Sequence, residues 1–262
     1  MFRSRYDPRR RRKPGRRFRD GPLAPALEVI ICFFLLAAFA YGAYGYARAG
    51  DCCRVATILV AGADKLNDAD IIAQSRVTNE DNILFLDPDE VGQRVQAMPA
   101  VKSCRVTRFF PDKVVFEVAE REAQATLMLG NRLFEVDDEC NVLRELTSER
   151  GHVGPFITNV GDLGNVAPGQ RLTDRALTRA LAVWRAFGTT VMARDVTVSE
   201  ISAAHENRIC MYCDELDFEI RWGRDHFEKQ AAKLNVFWLS QNKRVNCKDY
   251  VDLRFGNDVA CK

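Results

Sequence analysis

The apolar positions of this chain do not keep a single rhythm. From Val29 to Ala47 they form one uncharged run of 19 residues. A helix rises about 1.5 Å per residue, so a run of this length matches a hydrocarbon core about 30 Å thick. Tyr41, Tyr44 and Tyr46 gather at its C-terminal end, where an aromatic belt sits at a lipid interface. The run predicts a transmembrane helix over 29–47 and a juxtamembrane segment over 48–54.

Beyond it the rhythm becomes that of short strands and amphipathic helices. Val55 to Val60 is β-branched and apolar, and Gly62 ends it. Asn67 can cap a helix whose apolar face begins at Ile71 and Ile72. A second helix is signalled by Asp87 at the N-cap, Pro88 in the first turn, and Val91, Val95 and Met98 on one stripe, with Pro99 as a stop. Val101 to Phe109 and Val114 to Val118 read as strands joined by Phe110-Pro111-Asp112-Lys113, a turn in which Pro fixes one backbone angle and Asp bonds its own main chain. Val114, Phe116 and Val118 share a face. Residues 55–121 thus predict a compact βααββ domain.

Residues 122–262 read as a second, sheet-rich domain. Ala125–Leu129, Arg132–Val136 and Asn141–Leu146 are strand candidates. Residues 151–171 are rich in Gly, Pro and Asn and read as loop. A helix is expected from an N-cap at Thr173 to Phe187, with Leu177, Ala180, Leu181 and Trp184 inward and Gly188 as its cap. Leu216 to Trp222 alternates as a strand, and Asp225 to Leu239 carries Phe227, Ala231, Leu234 and Trp238 on one helical face. Tyr250 to Phe255 is the last strand. Strict alternation puts Val251, Leu253 and Phe255 on one face and Tyr250, Asp252 and Arg254 on the other. The fold class is α+β: one N-terminal membrane helix, the βααββ domain, then a mixed β-sheet domain with flanking helices.

Charge gives this layout a direction. The formal net charge is only +2, but residues 1–21 carry ten Arg and Lys against Asp7 and Asp20. Arginines on the N-terminal flank predict residues 1–28 in the cytoplasm and residues 48–262 exported. Cleavage as a signal peptide at Ala47-Arg48-Ala49 is the rival reading, but signal cores are shorter than this run. Nucleic-acid binding by the arginines is weighed against the plainer role of a topology signal that touches anionic lipid.

Of nine cysteines, Cys32 lies in the span and eight are exported: Cys52, Cys53, Cys104, Cys140, Cys210, Cys213, Cys247 and Cys261. Disulfides and small core hydrophobes are both open to them. Cys210-Met211-Tyr212-Cys213 is a C-x-x-C that invites a thiol–disulfide role, but it stands in a strand-like stretch and not at a helix start. No second pair completes a zinc site, and His152, His205 and His226 are scattered. No phosphate-cradling loop or catalytic serine or zinc motif is present. No cofactor, metal or catalytic residue is expected.

Three stretches resemble a known family in order and spacing: Pro99-Ala100-Val101; Val106-Thr107-Arg108-Phe109-Phe110-Pro111-Asp112 with Val118-Ala119-Glu120-Arg121; and Tyr250-Val251-Asp252-Leu253-Arg254-Phe255. They are similar to the motifs of the bacterial cell-division proteins FtsQ and DivIB, and residues 55–121 resemble a POTRA domain. Ala100 stands where the family has Trp, Ala123 where it has Pro, and Asn141 where a turn Gly is common. The resemblance implies a single-pass inner-membrane protein at the septum. It would be a non-enzymatic scaffold without small-molecule substrate or nucleic acid, linking early to late division components. Its implied partners are FtsB and FtsL, received near Tyr250, Val251, Asp252, Leu253, Arg254 and Phe255, with the POTRA domain open to other division proteins. An edge strand there could accept a partner strand. Tyr250, Arg254 and Phe255 have the chemistry of interface anchors. Glu120-Arg121 reads as an interdomain ion pair. The alternative function is an exported thiol–disulfide protein using Cys210 and Cys213. A POTRA-bearing assembly component is a third reading, without the repeated units or barrel usual there.

Overall fold

The computed structural model describes residues 23–49, 53–205 and 208–262. The Arg-rich tail and Cys52 therefore lie outside the described residues. The chain forms two units, one running to Arg54 and one from Val55 to Lys262. In the first, helix α1 (Leu23–Ala49) is 27 residues long. Its apolar part, Ala26–Arg48, has no buried residue. It is long and apolar enough to cross a membrane.

The second unit begins with a three-stranded sheet in the order β1-β3-β2, built from β1 (Thr57–Ala61), β2 (Val101–Phe109) and β3 (Lys113–Glu120). β1 runs parallel to β3, and β2 is antiparallel to it. Helices α2 (Asp68–Ser75) and α3 (Pro88–Gln96) pack on it. Both start where their caps are: the Asn67 side chain accepts from the Ala69 N–H, and Asp87 accepts from Asp89 and Glu90. Val114, Phe116 and Val118 face inward and are buried with Ile71, Val91 and Val95. Gly62 has φ +81°, and a Cβ there would meet the Val118 carbonyl oxygen at 2.3 Å. Glycine is therefore required where the chain leaves β1.

The rest is a nine-stranded mixed sheet in the order β12-β11-β10-β9-β8-β7-β4-β5-β6. Its strands are β4 (Ala125–Leu129), β5 (Arg132–Val136), β6 (Val142–Leu146), β7 (Phe156–Thr158), β8 (Val198–His205), β9 (Arg208–Cys213), β10 (Glu219–Trp222), β11 (Tyr250–Asp252) and β12 (Ala260–Cys261). Helices α4 (Arg175–Gly188) and α5 (Phe227–Ser240) supply Leu177, Leu181, Phe187, Leu234 and Trp238 to one core, shared with Leu127, Ile157, Ile201, Met211, Ile220 and Trp222 of the sheet.

Several expectations need correction. The segment 151–171 is not all loop: Phe156–Thr158 runs parallel between β4 and β8. The α4 cap is Asp174, whose carboxylate accepts from Leu177 N, and not Thr173. Gly188 is the last helical residue and Thr189 the C-cap. α5 starts at Phe227, because His226 takes a left-handed backbone. The strand expected from Leu216 begins only at Glu219, since Leu216 N bonds Cys213 O in a tight turn. At the β5–β6 turn the left-handed residue is Cys140 (φ +64°), not Asn141. Asn141 instead donates from both its main chain and its side chain to Asp137.

Candidate partner-binding site

The six residues singled out at the end of the sequence lie at one end of the large sheet, where β10, β11 and β12 meet. β10 and β11 are parallel, pairing Glu219 with Tyr250 and Arg221 with Asp252. β12 then pairs antiparallel with β11, Val251 opposite Cys261. β11 is therefore not the sheet edge: the short β12 covers it. A disulfide between Cys247 and Cys261 links the segment before β11 to β12. Lys262 closes the pairing, since its main-chain oxygen accepts from Lys248, Asp249 and Tyr250 and its N–H donates to Tyr250.

Strand β11 also stops early, and the face pattern expected through Phe255 does not hold. The Asp252 carboxylate accepts from the Arg254 N–H at 3.0 Å, which turns the chain. The Lys233 ammonium of α5 then donates to the carbonyls of Leu253, Phe255, Gly256 and Asp258. Val251 and Leu253 are buried in the core, whereas Phe255 is swung outward and is 54% exposed. Asp252 is buried too, although it lies on the other face. Its carboxylate is gripped by the Arg254 guanidinium, with Nε to Oδ1 at 2.9 Å. Burial pushes this carboxyl up, but the bonds from Arg254 outweigh burial and hold it below the usual carboxylate range.

The side of β9–β11 facing away from the helices carries a polar and aromatic array. The Arg221 guanidinium lies 3.8 Å from the centre of the Tyr250 ring. It also bonds Glu219, which in turn accepts from the Tyr212 hydroxyl at 2.8 Å. Arg221, Glu219, Tyr212 and Lys233 were not singled out by sequence reasoning. The alternation of β10 placed Arg221 and Glu219 outward, but only the parallel register puts them beside Tyr250.

The Cys210/Cys213 pair lies in β9, with Cys213 its last residue, and not at a helix start. Strand alternation sends the two side chains to opposite faces: Cys213 joins the apolar core and Cys210 lies beneath the polar array. Burial, with Glu219 adding to it, pushes the Cys210 thiol up to about 11, and burial pushes Cys213 up to about 12. Both are thiols at neutral pH, the reverse of what a disulfide-exchange nucleophile requires. Among the described residues no group of three or more His, Cys, Asp or Glu is placed to hold a metal ion.

At the junction of the two sheets, Arg121 donates to Asp137 at 2.8 Å and to Glu139 at 3.3 Å. Glu120 does not share in this pair; it accepts from the main-chain N–H groups of Lys65 and Leu66.

Two family models match in tandem. The first is the POTRA domain of FtsQ type, over residues 53–121, and the second the C-terminal domain of the cell-division proteins FtsQ and DivIB, over residues 125–254. The cell-division protein FtsQ of Anaeromyxobacter sp. is 30% identical over 229 residues, which cover 86% of this chain and 76% of that protein. The chain belongs to the FtsQ family of cell-division proteins. FtsQ of Syntrophotalea carbinolica is 27% identical over 215 residues, 82% of this chain and 75% of its own. FtsQ of Caulobacter vibrioides is 28% identical over 171 residues, 63% of this chain and 56% of its own. The N-terminal apolar helix fits a membrane-anchored member of the FtsQ family. The second family match ends at residue 254, inside the motif that the end of the sheet displays.

Proposed function

We propose that this FtsQ-family chain is a non-enzymatic scaffold of the division machinery that receives the FtsB–FtsL pair at the β10–β11–β12 end of its large sheet. In this reading residues 1–28 are a cytoplasmic tail, 29–47 span the inner membrane, 48–54 lead out of it, and the POTRA domain (55–121) and β domain (122–262) are exported and gather at the septum. The chain positions partners that act before and after it and turns over no substrate.

One observation carries the docking site. Tyr250, Arg254 and Phe255 each offer surface at the β11–β12 end of the sheet: Tyr250 stacks on Arg221, Arg254 is locked to Asp252, and the exposed Phe255 follows in the turn held by Lys233. Aromatic and Arg side chains held in fixed rotamers are the chemistry of binding hot spots. Val251, Asp252 and Leu253 are buried and shape the site from beneath.

The test is capture of the FtsB–FtsL pair by the full-length chain. Phe255→Glu is expected to abolish capture while the protein stays folded, because the side chain is exposed. Undiminished capture by this variant, or normal septation after depletion of the protein, would overturn the proposal.

A further inference from the structure

A second exposed surface lies at one end of the POTRA domain, and the topology identifies that end. Where the chain enters the domain, Val55 N bonds Asp81 O, while Ala56 N and Thr57 N bond Asp112 O. The point of entry is thus held between the 78–86 loop and the turn at 110–112. Around it Leu84, Phe85, Phe109 and Phe110 are exposed, the last at 58%. Arg108 binds this end together, donating to the carbonyls of Ile83, Leu84 and Leu86. Its guanidinium also lies 6.0 Å from the centre of the Phe110 ring, and the Lys113 ammonium lies 5.9 Å from that of Phe109.

Four exposed large apolar side chains around one point are more than a solvated turn needs. The covalent link says what covers them. Helix α1 ends at Ala49 and the folded unit starts at Val55. Six residue steps span at most about 20 Å even when fully extended. If α1 crosses a bilayer, this end of the POTRA domain is leashed within about 20 Å of the point where the span leaves the lipid, close enough to reach the headgroup layer. Aromatic rings with a cation over them suit that layer, the ring entering the acyl boundary and the Arg or Lys head staying at the phosphates. Asp81 and Asp112 lie at the same end, so the attraction is apolar first and electrostatic second.

We infer that the Leu84, Phe85, Phe109 and Phe110 end of the POTRA domain docks on the headgroup layer of the bilayer its own span enters. Docking would fix how the domain stands on the membrane, where a bare tether would let it swing. The inference rests on α1 being a membrane anchor.

The test uses the full-length chain in nanodiscs of phosphatidylethanolamine and phosphatidylglycerol, with or without bromine on the acyl chains near the headgroups. Phe110→Trp adds a reporter to the emission of the three native tryptophans, and Phe85→Trp is a second reporter should the first disturb the turn. The added emission is expected to be blue-shifted and to be lost in the brominated discs, while Val236→Trp on α5 is neither. Water-like, unquenched emission at both reporters would overturn the inference. So would a blue shift that needs an added protein and shows no lipid quenching, since the surface would then be a protein site. Failure of the chain to enter nanodiscs would overturn the anchor itself, and the inference with it.

Discussion

Replacing Cys261 with Ser should loosen β12 from the sheet while leaving β11 in place. The disulfide closes a loop between residues 14 apart in sequence, which in the chain-entropy description stabilises by about 3 kcal/mol. What remains is the pairing of Asp252 with Ala260, the Lys233 bonds to the Gly256 and Asp258 carbonyls, and the contacts of Lys262. Tyr250 and Lys262 exchange two main-chain bonds, Lys248 and Asp249 add two more to the Lys262 oxygen, and Lys262 makes one exposed ion pair with Asp249. Each such bond contributes roughly 0.5–1.5 kcal/mol net, and an exposed ion pair 0 to about 1 kcal/mol. Ordering residues 256–262 costs roughly 1–2 kcal/mol each in backbone entropy. The entropy is of the same order as the bonds that remain, so the strand should open far more often once the covalent link is gone. Amide hydrogen exchange reads this directly. The Tyr250 and Lys262 amides, which point across to each other, should lose protection. The Leu253 amide, which donates to Arg221 O on the β10 side, should keep it. Full protection of Lys262 in the serine variant would refute the reasoning, because β12 would then be held by its own pairing.

Two further outcomes follow from buried polar groups. Native-state alkylation at pH 8 should leave Cys210 and Cys213 unmodified, since burial holds both thiols near 11 and 12; rapid labelling of either, followed by mass spectrometry, would contradict the packing of β9. Arg121→Ala should destabilise the protein by roughly 1.5–3 kcal/mol in denaturant titration, by removing a charge-assisted bond to a buried carboxylate. Burial pushes the Asp137 carboxyl up, but bonds from Asn141, Arg121 and the Glu139 N–H outweigh it and leave it lowered. A lowered folded-state value adds stability above the unfolded carboxylate range, near pH 4, and loses it as pH falls through the folded value. The variant should therefore begin its acid unfolding at a higher pH than the parent, and an unchanged acid limb would count against the assignment.

Much of the fold was legible because it is local. The Asp87-Pro88 cap and the Val91/Val95 stripe specify α3, and the Val114/Phe116/Val118 alternation specifies β3 whatever the rest of the chain does. What escaped is non-local. Phe156–Thr158 has no period of its own; it becomes a strand only because β4 and β8 flank it in parallel. β8 slips register twice against β9, which breaks the alternation that would announce it. β12 is two residues long. The candidate site shows the same division. Tyr250, Arg254 and Phe255 declare themselves by residue type. Their supports, Arg221 and Lys233, are recognisable only after the parallel β10–β11 register and the packing of α5 are known.

The Tyr-Val-Asp-Leu-Arg-Phe motif is therefore not one contact epitope. Its residues divide by burial and not by alternation. Val251 and Leu253 are core, and Asp252 is a buried acceptor that bonds both the main chain and the guanidinium of Arg254. Only Tyr250, Arg254 and Phe255 have surface to offer a partner. A change at Val251 or Leu253 would act on any partner through stability, because removing a buried aliphatic side chain costs roughly 2–5 kcal/mol wherever the partner binds. A change at the exposed Phe255 removes no core contact and, in the proposed role, would act on the docking surface alone. Arg254 stands between the two, since its loss would leave the buried Asp252 carboxylate without its cation. Under the proposed docking, a defect at Arg254 would report both fold and interface, and Phe255 is the position at which the two would separate.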